Sequence, residues 1–434
     1  MPLHSVTSER LTPYQRRLFL FLSVATFFEG YDFMALTQLL PNIQQDLGLD
    51  EADAGLLVAF INLGTVVAYI LVRKADRWGR RRVLTVTIAG YTTFTFLSGL
   101  APNVWVFGLA QMLARIFLIG EWAISMVIAA EEFPAHKRGM VLGIIQAFSS
   151  FGAIACAGLV PLLLKAPTGW RTTYFAGVVP LLILAWARRG LQESRRFAEQ
   201  VAADEREQRE PQPLLHIFRT PYRKRVLQLG LIWLLMYVAS HNAVTFWKEF
   251  AVHERDLSDG QVGTAITVAA VGAMPLVFYV GRLIDQVGRR VGAAIVFGLG
   301  SLGIVLSYTL HGQWALTGAL VFGIFGASAM LPVLNAYTTE LFPTALRGAA
   351  FAWANNLLGR IGYVVSPAFV GLAAGRVGWG PAVSATAAFP IVAVVLIFWL
   401  LPETSGRELE DTSAVGAPGP SAEGAPAPQA ERAD

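Results

Sequence analysis

Long apolar segments alternate with short charged segments along most of this chain. Six stretches contain no Asp, Glu, Lys or Arg: 83–114, 140–164, 226–247, 260–281, 291–339 and 377–402. A helix that crosses a bilayer takes roughly 20 apolar residues, so the pattern predicts membrane-spanning helices. Twelve are predicted, at 18–40, 54–72, 83–101, 104–130, 140–164, 171–190, 226–250, 261–283, 291–311, 314–338, 348–375 and 379–401.

The charged stretches divide these helices into two sets of six. We predict a cytoplasmic N-terminal segment at 1–17, a six-helix half at 18–190, a cytoplasmic linker at 191–225, a second six-helix half at 226–401 and a cytoplasmic tail at 402–434. The tail is rich in Ala, Pro, Gly and Ser, a composition typical of disorder. The predicted fold class is therefore an all-α integral membrane protein.

Composition and charge agree with that fold class. The chain is 54% hydrophobic and only 15% charged, whereas soluble domains carry about 25% charged residues. A net charge of +4 could indicate nucleic acid, but 27 of the 34 Lys and Arg residues fall in the tails and loops on one side of the predicted topology. This is the positive-inside pattern, which predicts a multi-pass protein of the cell membrane with both termini in the cytoplasm and no nucleic-acid partner.

The sequence contains no feature that indicates catalysis. It lacks a Gly-Lys pair and hence a Walker A loop, and its six histidines and single cysteine, Cys156, show no metal-ligand spacing. We therefore predict that the protein is not an enzyme and holds no cofactor or metal.

Two charged motifs recur at one offset, 209 residues. Asp76 and Gly79 recur as Asp285 and Gly288, and Glu131 and Arg138 recur as Glu340 and Arg347. Two unrelated motifs at one offset predict two parallel halves, a known transporter arrangement. Charge pairs between these loops could close one side of the protein, although the charges could also only fix the topology. The predicted gating residues are Asp76, Arg77, Gly79, Arg80, Glu132, Arg138, Asp285, Gly288, Arg289, Glu340 and Arg347.

These motifs resemble those of the major facilitator superfamily. The stretch from Asp76 to Arg81 is similar to the signature loop of that family, with Val72 and Lys74 in place of its first Gly and Leu. The second copy, 281–290, keeps both but has a Gln for an Arg, and residues 402–407 read Pro-Glu-Thr-Ser-Gly-Arg. The likeness is to the sugar-porter, aromatic-acid/proton symporter and organic-ion branches. It implies the major facilitator fold, alternating access and a functional monomer.

Ionisable residues inside the predicted spans are candidate functional groups, because a charge in a membrane is costly and functional by default. Glu29 and Asp32 lie in the first span at a spacing of three residues, which puts them on one helical face. We predict proton coupling there; the alternative is a structural pair with Arg115 of the fourth span. Arg115 itself is predicted either to pair with Asp32 or Glu29 or to hold substrate. Glu121 is predicted to point away from Arg115 and is either a second proton site or part of a cross-helix pair.

Residues 29–32, Glu-Gly-Tyr-Asp, resemble an acidic stretch of the aromatic-acid branch, which makes Tyr31 a candidate substrate contact. Arg360, in the eleventh span, follows Trp353 and Asn356 at i, i+3 and i+7, so the three are predicted to share one stripe. An arginine beside an aromatic ring and an amide suits a planar carboxylate. The alternative is a structural arginine near a helix break.

Three further candidates come from the offset. His241 is the offset partner of Asp32 and is either a proton relay or a bystander; Gln146 and Asn355 are offset partners of each other and either bond substrate or join helices. Together the residues favour proton-coupled symport of a small organic anion by alternating access. A sugar/proton symporter and a proton-driven drug or metabolite exporter remain open, and a membrane sensor on the same fold is a weaker alternative.

Overall fold

The structure is a computed structural model that describes residues 11–78, 80–133, 135–178 and 214–406. The linker and the tail predicted from the sequence fall largely outside these ranges. So do Gly79 and the side chains of four other predicted gating residues, which are Asp76, Arg77, Arg80 and Arg138.

The described part is built from long helices. The first half contains α1 (Pro13–Leu47), α2 (Glu51–Trp78), α3 (Arg80–Gly99), α4 (Val104–Glu132), α5 (Ala135–Leu163) and the first part of α6, described over 171–178. The second half contains α7 (Arg223–Thr245), α8 (Asp259–Gln286), α9 (Arg289–Thr309) and α10 (Gln313–Glu340). It ends with α11, made of Thr344–Phe351, Ala352–Gly359 and Arg360–Val377, and with α12, made of Trp379–Ala385 and Ala388–Leu400. Short helices at Leu214–Arg219 and Trp247–His253 flank α7.

Ten of the described helices are long and apolar enough to cross a membrane. Several extend beyond the predicted spans, because the apolar run marks only the part of a helix that lies in lipid. For α1, Thr12 and Gln15 form a capping box at the start, and Gly48 ends the helix in the left-handed conformation, with φ 66°. The prediction was also wrong at 226–250, which is not one helix: α7 ends at Thr245 and a short helix follows.

Within each half, glycines let helices approach closely. A Cβ atom on Gly30 of α1 would lie 1.8 Å from the carbonyl oxygen of Ser149 in α5, and one on Gly152 of α5 would lie 1.8 Å from that of Phe27. Neither position could hold a larger residue without moving a helix. The α1–α5 contact is therefore fixed by backbone packing, and it brings the acidic stretch of α1 against α5.

The two halves meet at the end of the bundle opposite the start of α1, which we name the distal end. There α2 and α11 touch: a Cβ atom on Gly371 would lie 2.5 Å from the carbonyl oxygen of Glu51 and 2.7 Å from Cα of Gly55. A Cβ atom on Gly263 of α8 would lie 2.6 Å from the carbonyl oxygen of Ala157 in α5. These two glycine contacts close the distal end between the halves.

Candidate substrate and proton site

The acidic residues of α1 lie in the interior of the first half. Glu29 is within hydrogen-bonding reach of Ser149 in α5, while its second carboxylate oxygen, Oε2, is buried without a hydrogen-bond partner among the described residues. Asp32 is 4% exposed and is hydrogen-bonded to Tyr91 of α3. The interior of the first half therefore holds two neighbouring carboxylates of α1, Glu29 toward α5 and Asp32 toward α3.

Arg115 of α4 faces these carboxylates. It is 3% exposed, and its guanidinium lies 5.4 Å from the ring centroid of Phe33. Its positive charge attracts the carboxylates of both Glu29 and Asp32. Among the side chains that the structure describes, no carboxylate lies within ion-pair distance of Arg115, so the predicted direct pairing is not made.

Glu121 lies closer to this cluster than the helical rotation predicted. It is 2% exposed, and its carboxylate interacts electrostatically with Glu29 and with Tyr91. The expectation that Glu121 points away from the site considered α4 alone. Because α1 crosses α4, a residue on another face of α4 can still approach Glu29, and this interior therefore contains three carboxylates.

Arg360 lies at the junction of two kinds of helix in α11. Residues Ala352–Gly359 form a π-helix, with i→i+5 hydrogen bonds, and Arg360 begins the α-helix that follows. Its guanidinium is half-buried and lies 5.3 Å from the ring centroid of Tyr237 and 5.1 Å from that of Tyr363. Two aromatic faces therefore flank a cation that no described carboxylate neutralises at ion-pair distance.

The π-helix overturns the predicted stripe. The i, i+3, i+7 rule assumes 3.6 residues per turn, and the wider turns of Ala352–Gly359 change which residues share a face. Trp353 packs on Phe218, with ring centroids 4.7 Å apart, rather than beside Arg360. Asn355 accepts a hydrogen bond of 2.7 Å from the hydroxyl of Tyr237. Asn356 is half-buried.

His241 joins the two halves. The side-chain amide of Asn62, in α2, donates to Nε2 of His241 over 2.8 Å and to the carbonyl oxygen of Tyr363 over 3.2 Å. Nδ1 of His241 lies 3.3 Å from Oγ1 of Thr245, and the imidazole stacks on the ring of Tyr363 with centroids 3.8 Å apart. With Nε2 accepting a hydrogen bond, Nδ1 carries the proton and the ring is neutral.

Two predicted contacts lie in the first half. Gln146 is exposed, and its side-chain oxygen accepts a hydrogen bond of 3.1 Å from the indole of Trp122. Tyr31 is 8% exposed and packs edge-on against Phe28, with centroids 6.3 Å apart. Gln146 therefore lies at an exposed position of α5, whereas Tyr31 belongs to the packed interior.

Comparison with known proteins identifies the family. The sequence profile of the Major Facilitator Superfamily matches residues 22–250 and 234–428. The chain belongs to the Major Facilitator Superfamily.

Relatives and solved structures agree with this assignment. The chain is 27% identical over 419 residues to the probable 4-methylmuconolactone transporter of Cupriavidus pinatubonensis, covering 94% of this chain and 95% of the relative. It is 27% identical over 393 residues to the cis,cis-muconate transport protein of Acinetobacter baylyi, covering 86% and 91%. A crystal structure of a D-xylose–proton symporter shares the fold, with a TM-score of 0.72, 18% identity and coverage of 91% and 99%. The chain is a multi-pass membrane transporter of small molecules with the two-half, twelve-helix fold, and it is not an enzyme.

In this superfamily transporter, the predicted gating charges of the second half form one cluster at the end where α1 begins. Arg289 pairs with Asp285 over 2.5 Å and with Glu340 over 2.9 Å. Arg347 donates to the carbonyl oxygen of Thr339 over 2.9 Å. All these contacts lie within the second half, so the described charges tie α8, α9 and α10 together. Their gating role stays a prediction, as does that of Glu132, whose backbone oxygen accepts a hydrogen bond from α1.

The motif at residues 402–407 caps a helix through Glu403. The carboxylate of Glu403 accepts hydrogen bonds from the backbone N–H groups of Arg289, Arg290, Thr404 and Ser405, at 2.8–3.0 Å. Burial raises the pKa of Glu403, but these N–H donors outweigh it and hold that pKa below its usual value. Gly288 precedes α9 with φ 89°, and a Cβ atom there would lie 3.0 Å from the Glu403 carboxylate. Glycine is therefore required both by the backbone and by the cap.

Sequence reasoning missed several neutral residues of the site. Asn62, Tyr91, Tyr237 and Tyr363 contact the predicted charged residues, yet each occurs in an apolar helix where Asn or Tyr is also common in ordinary packing. The one usable signal was Asn62, a lone amide within the apolar second span.

Proposed function

We propose that this transporter is a secondary transporter that carries a small organic anion together with protons. The observation that supports the proposal is a pair of interior arginines, one from each half. Arg115 and Arg360 both lie on aromatic rings and both act electrostatically on Glu29, His241 and Tyr363. They therefore converge on one region between the halves.

The surroundings of Arg360 suit a carboxylate attached to a flat apolar group. A guanidinium can bind both oxygens of a carboxylate through parallel hydrogen bonds, and the rings of Tyr237 and Tyr363 supply apolar faces on either side. Asn356, one helical turn earlier, adds an amide. The relatives named for muconate and methylmuconolactone agree with an organic acid or its lactone.

The carboxylates around Arg115 supply a means of coupling. A proton taken up by Glu29, Asp32 or Glu121 changes the net charge of this interior by one. It also weakens the attraction that holds Arg115, which frees the arginine for the substrate. We assign the proton to these carboxylates rather than to His241, since both ring nitrogens of His241 are engaged by Asn62 and Thr245.

The orientation follows from the charge distribution. The end at which α1 begins carries most Lys and Arg residues, so we place it and both termini in the cytoplasm of the cell. The distal end then faces outward and is closed, and the transporter acts as a monomer in the lipid bilayer. Substrate loading or release would let the two halves move about the central site.

The test is uptake by purified protein in proteoliposomes. An inward proton gradient is imposed, and labelled aromatic and aliphatic carboxylates are offered alongside a sugar and an organic cation. We expect carboxylate uptake that requires the gradient and that Arg360→Ala lowers at least about a hundredfold, since a lost charged hydrogen-bond pair costs roughly 3 kcal/mol. Arg376→Ala is the matched control, because Arg376 is an exposed arginine in the same helix. Uptake of the sugar or the cation alone, equal in both variants, would refute the anion assignment.

A further inference from the structure

Lys248 links the two halves at the distal end. It directly follows the charge-free run 226–247, yet its side chain is only 1% exposed. The ammonium donates to the carbonyl oxygen of Gln38 over 2.5 Å and to the side-chain oxygen of Asn42 over 3.2 Å, both in α1. It also pairs with Asp259, at the start of α8, over 2.5 Å. Among the described residues, Lys248 and Asn62 make the hydrogen bonds that cross between the halves.

The next residue is a buried carboxylate without a hydrogen-bond donor. The side chain of Glu249 is 0% exposed, and both of its oxygens lack a well-aligned donor among the described residues. Nε2 of His253, one turn later in the same short helix, lies 3.4 Å from its Oε2. A charged carboxylate buried without donors is costly, so the closed distal end favours the protonated form of the Glu249–His253 pair.

His253 connects this pair to solvent. It lines a cavity of about 700 Å³ that opens at the distal end, together with Glu51, Asp259, Gln45 and Trp379. Its side chain is 53% exposed, whereas that of Glu249 is fully buried. A proton can therefore pass from the water in this cavity to His253 and from there to Glu249.

We propose that Glu249 and His253 form a proton-binding site that controls the Lys248 link between the halves. When the pair holds its proton, Glu249 and His253 together carry no net charge, and the ammonium of Lys248 binds α1 and Asp259. Loss of the proton leaves a buried charge beside the link, and that charge is relieved when the distal end opens and water enters. Closing the distal end is thereby coupled to proton uptake at this site.

The charges around the site agree with this role. The contact with Glu249 raises the pKa of His253 above its usual value, and Glu51 from α2 and Glu254 add to the effect. Glu249 itself faces Lys248, His253 and Glu51. Besides Asp259 and Glu249, the thiol of Cys156 in α5 faces Lys248. The site lies apart from Glu29, Asp32 and Arg115, so the proposal does not depend on the substrate class.

The experiment measures opening of the distal end directly. Spin labels are placed at the exposed positions Asp53 in the first half and Ala315 in the second, by Asp53→Cys and Ala315→Cys in a Cys156→Ala background. The distance distribution is recorded in nanodiscs from about pH 5 to about pH 9. One linked proton changes the ratio of closed to open protein by up to about tenfold per pH unit. We expect the open population to grow as the pH rises, and this growth to disappear in Glu249→Gln.

Control variants make either outcome informative. Glu51→Gln removes an exposed carboxylate from the same cavity whose charge only adds to the effect of Glu249 on His253, so the pH response should persist with its midpoint moved to lower pH. Lys248→Met should favour the open state at every pH. If Glu249→Gln does not fold, His253→Gln should shift or abolish the pH response, and the infrared band of a protonated carboxyl gives a second measurement. A pH response that is absent from the parent protein, or unchanged in Glu249→Gln and His253→Gln, would overturn the proposal.

Discussion

Replacing Gly371 by alanine should open the distal end. The added Cβ atom would lie 2.5 Å from the carbonyl oxygen of Glu51 and 2.7 Å from Cα of Gly55, and both contacts are with backbone that cannot rotate away. Ordinary carbon contacts begin at about 3.5 Å, so α2 and α11 must separate by close to 1 Å. Overpacking of this kind costs about 1–3 kcal/mol. Because the two helices belong to different halves, we expect the strain to be relieved by opening rather than by unfolding.

The ratio of closed to open protein should fall roughly 5- to 150-fold, which is what 1–3 kcal/mol represents. The assay is the distance between the labelled Asp53→Cys and Ala315→Cys positions in nanodiscs. Gly375→Ala is the matched control, since nothing lies within 4 Å of a Cβ atom there and it gains the same helix propensity, about 1 kcal/mol. Equal distance distributions in Gly371→Ala and Gly375→Ala would refute the idea that this glycine contact holds the distal end closed.

Two further predictions concern hydrogen bonds. Asn62→Leu removes the hydrogen bonds to His241 and to the backbone of Tyr363, each worth about 1 kcal/mol. The same distance measurement should therefore show a more open distal end. An unchanged distance distribution would contradict the role of His241 in joining the two halves. Glu403→Gln weakens the cap of α9 and should lower stability by about 1 kcal/mol above about pH 5. Because the pKa of Glu403 is depressed in the folded state, the stability difference between the two proteins should disappear as the pH falls through that pKa. Thermal unfolding of both proteins across pH checks this, and parallel curves would argue against the cap.

Much of the fold was predictable because the membrane imposes strong rules on sequence. A lipid interior requires long apolar helices, so their number and order are visible as charge-free runs. The repeated motifs at an offset of 209 showed the two halves before any contact was known. The same rules identified Glu29, Arg115 and Arg360 as candidate functional residues, since a charge inside an apolar helix is costly and usually functional.

Other features depended on helix geometry that sequence spacing does not report. The stripe of Trp353, Asn356 and Arg360 was predicted with the α-helical period, and the π-helix at Ala352–Gly359 invalidated it. Glu121 was placed away from the site because only the rotation of its own helix was considered. Spacing along the chain predicts which residues share a face only in a regular α-helix, and it does not report how neighbouring helices cross.

The sequence by itself determined the class of protein, the helices, the two halves and the interior charges, because each follows from the cost of placing polar groups in lipid. Only the tertiary structure decided which residues meet across the halves: Asn62 with His241, Lys248 with α1, and Gly55 with Gly371. These contacts join segments 179–316 residues apart, and they depend on which face of each helix turns toward the other half. That choice is made by packing many helices at once, so no local pattern in the chain records it.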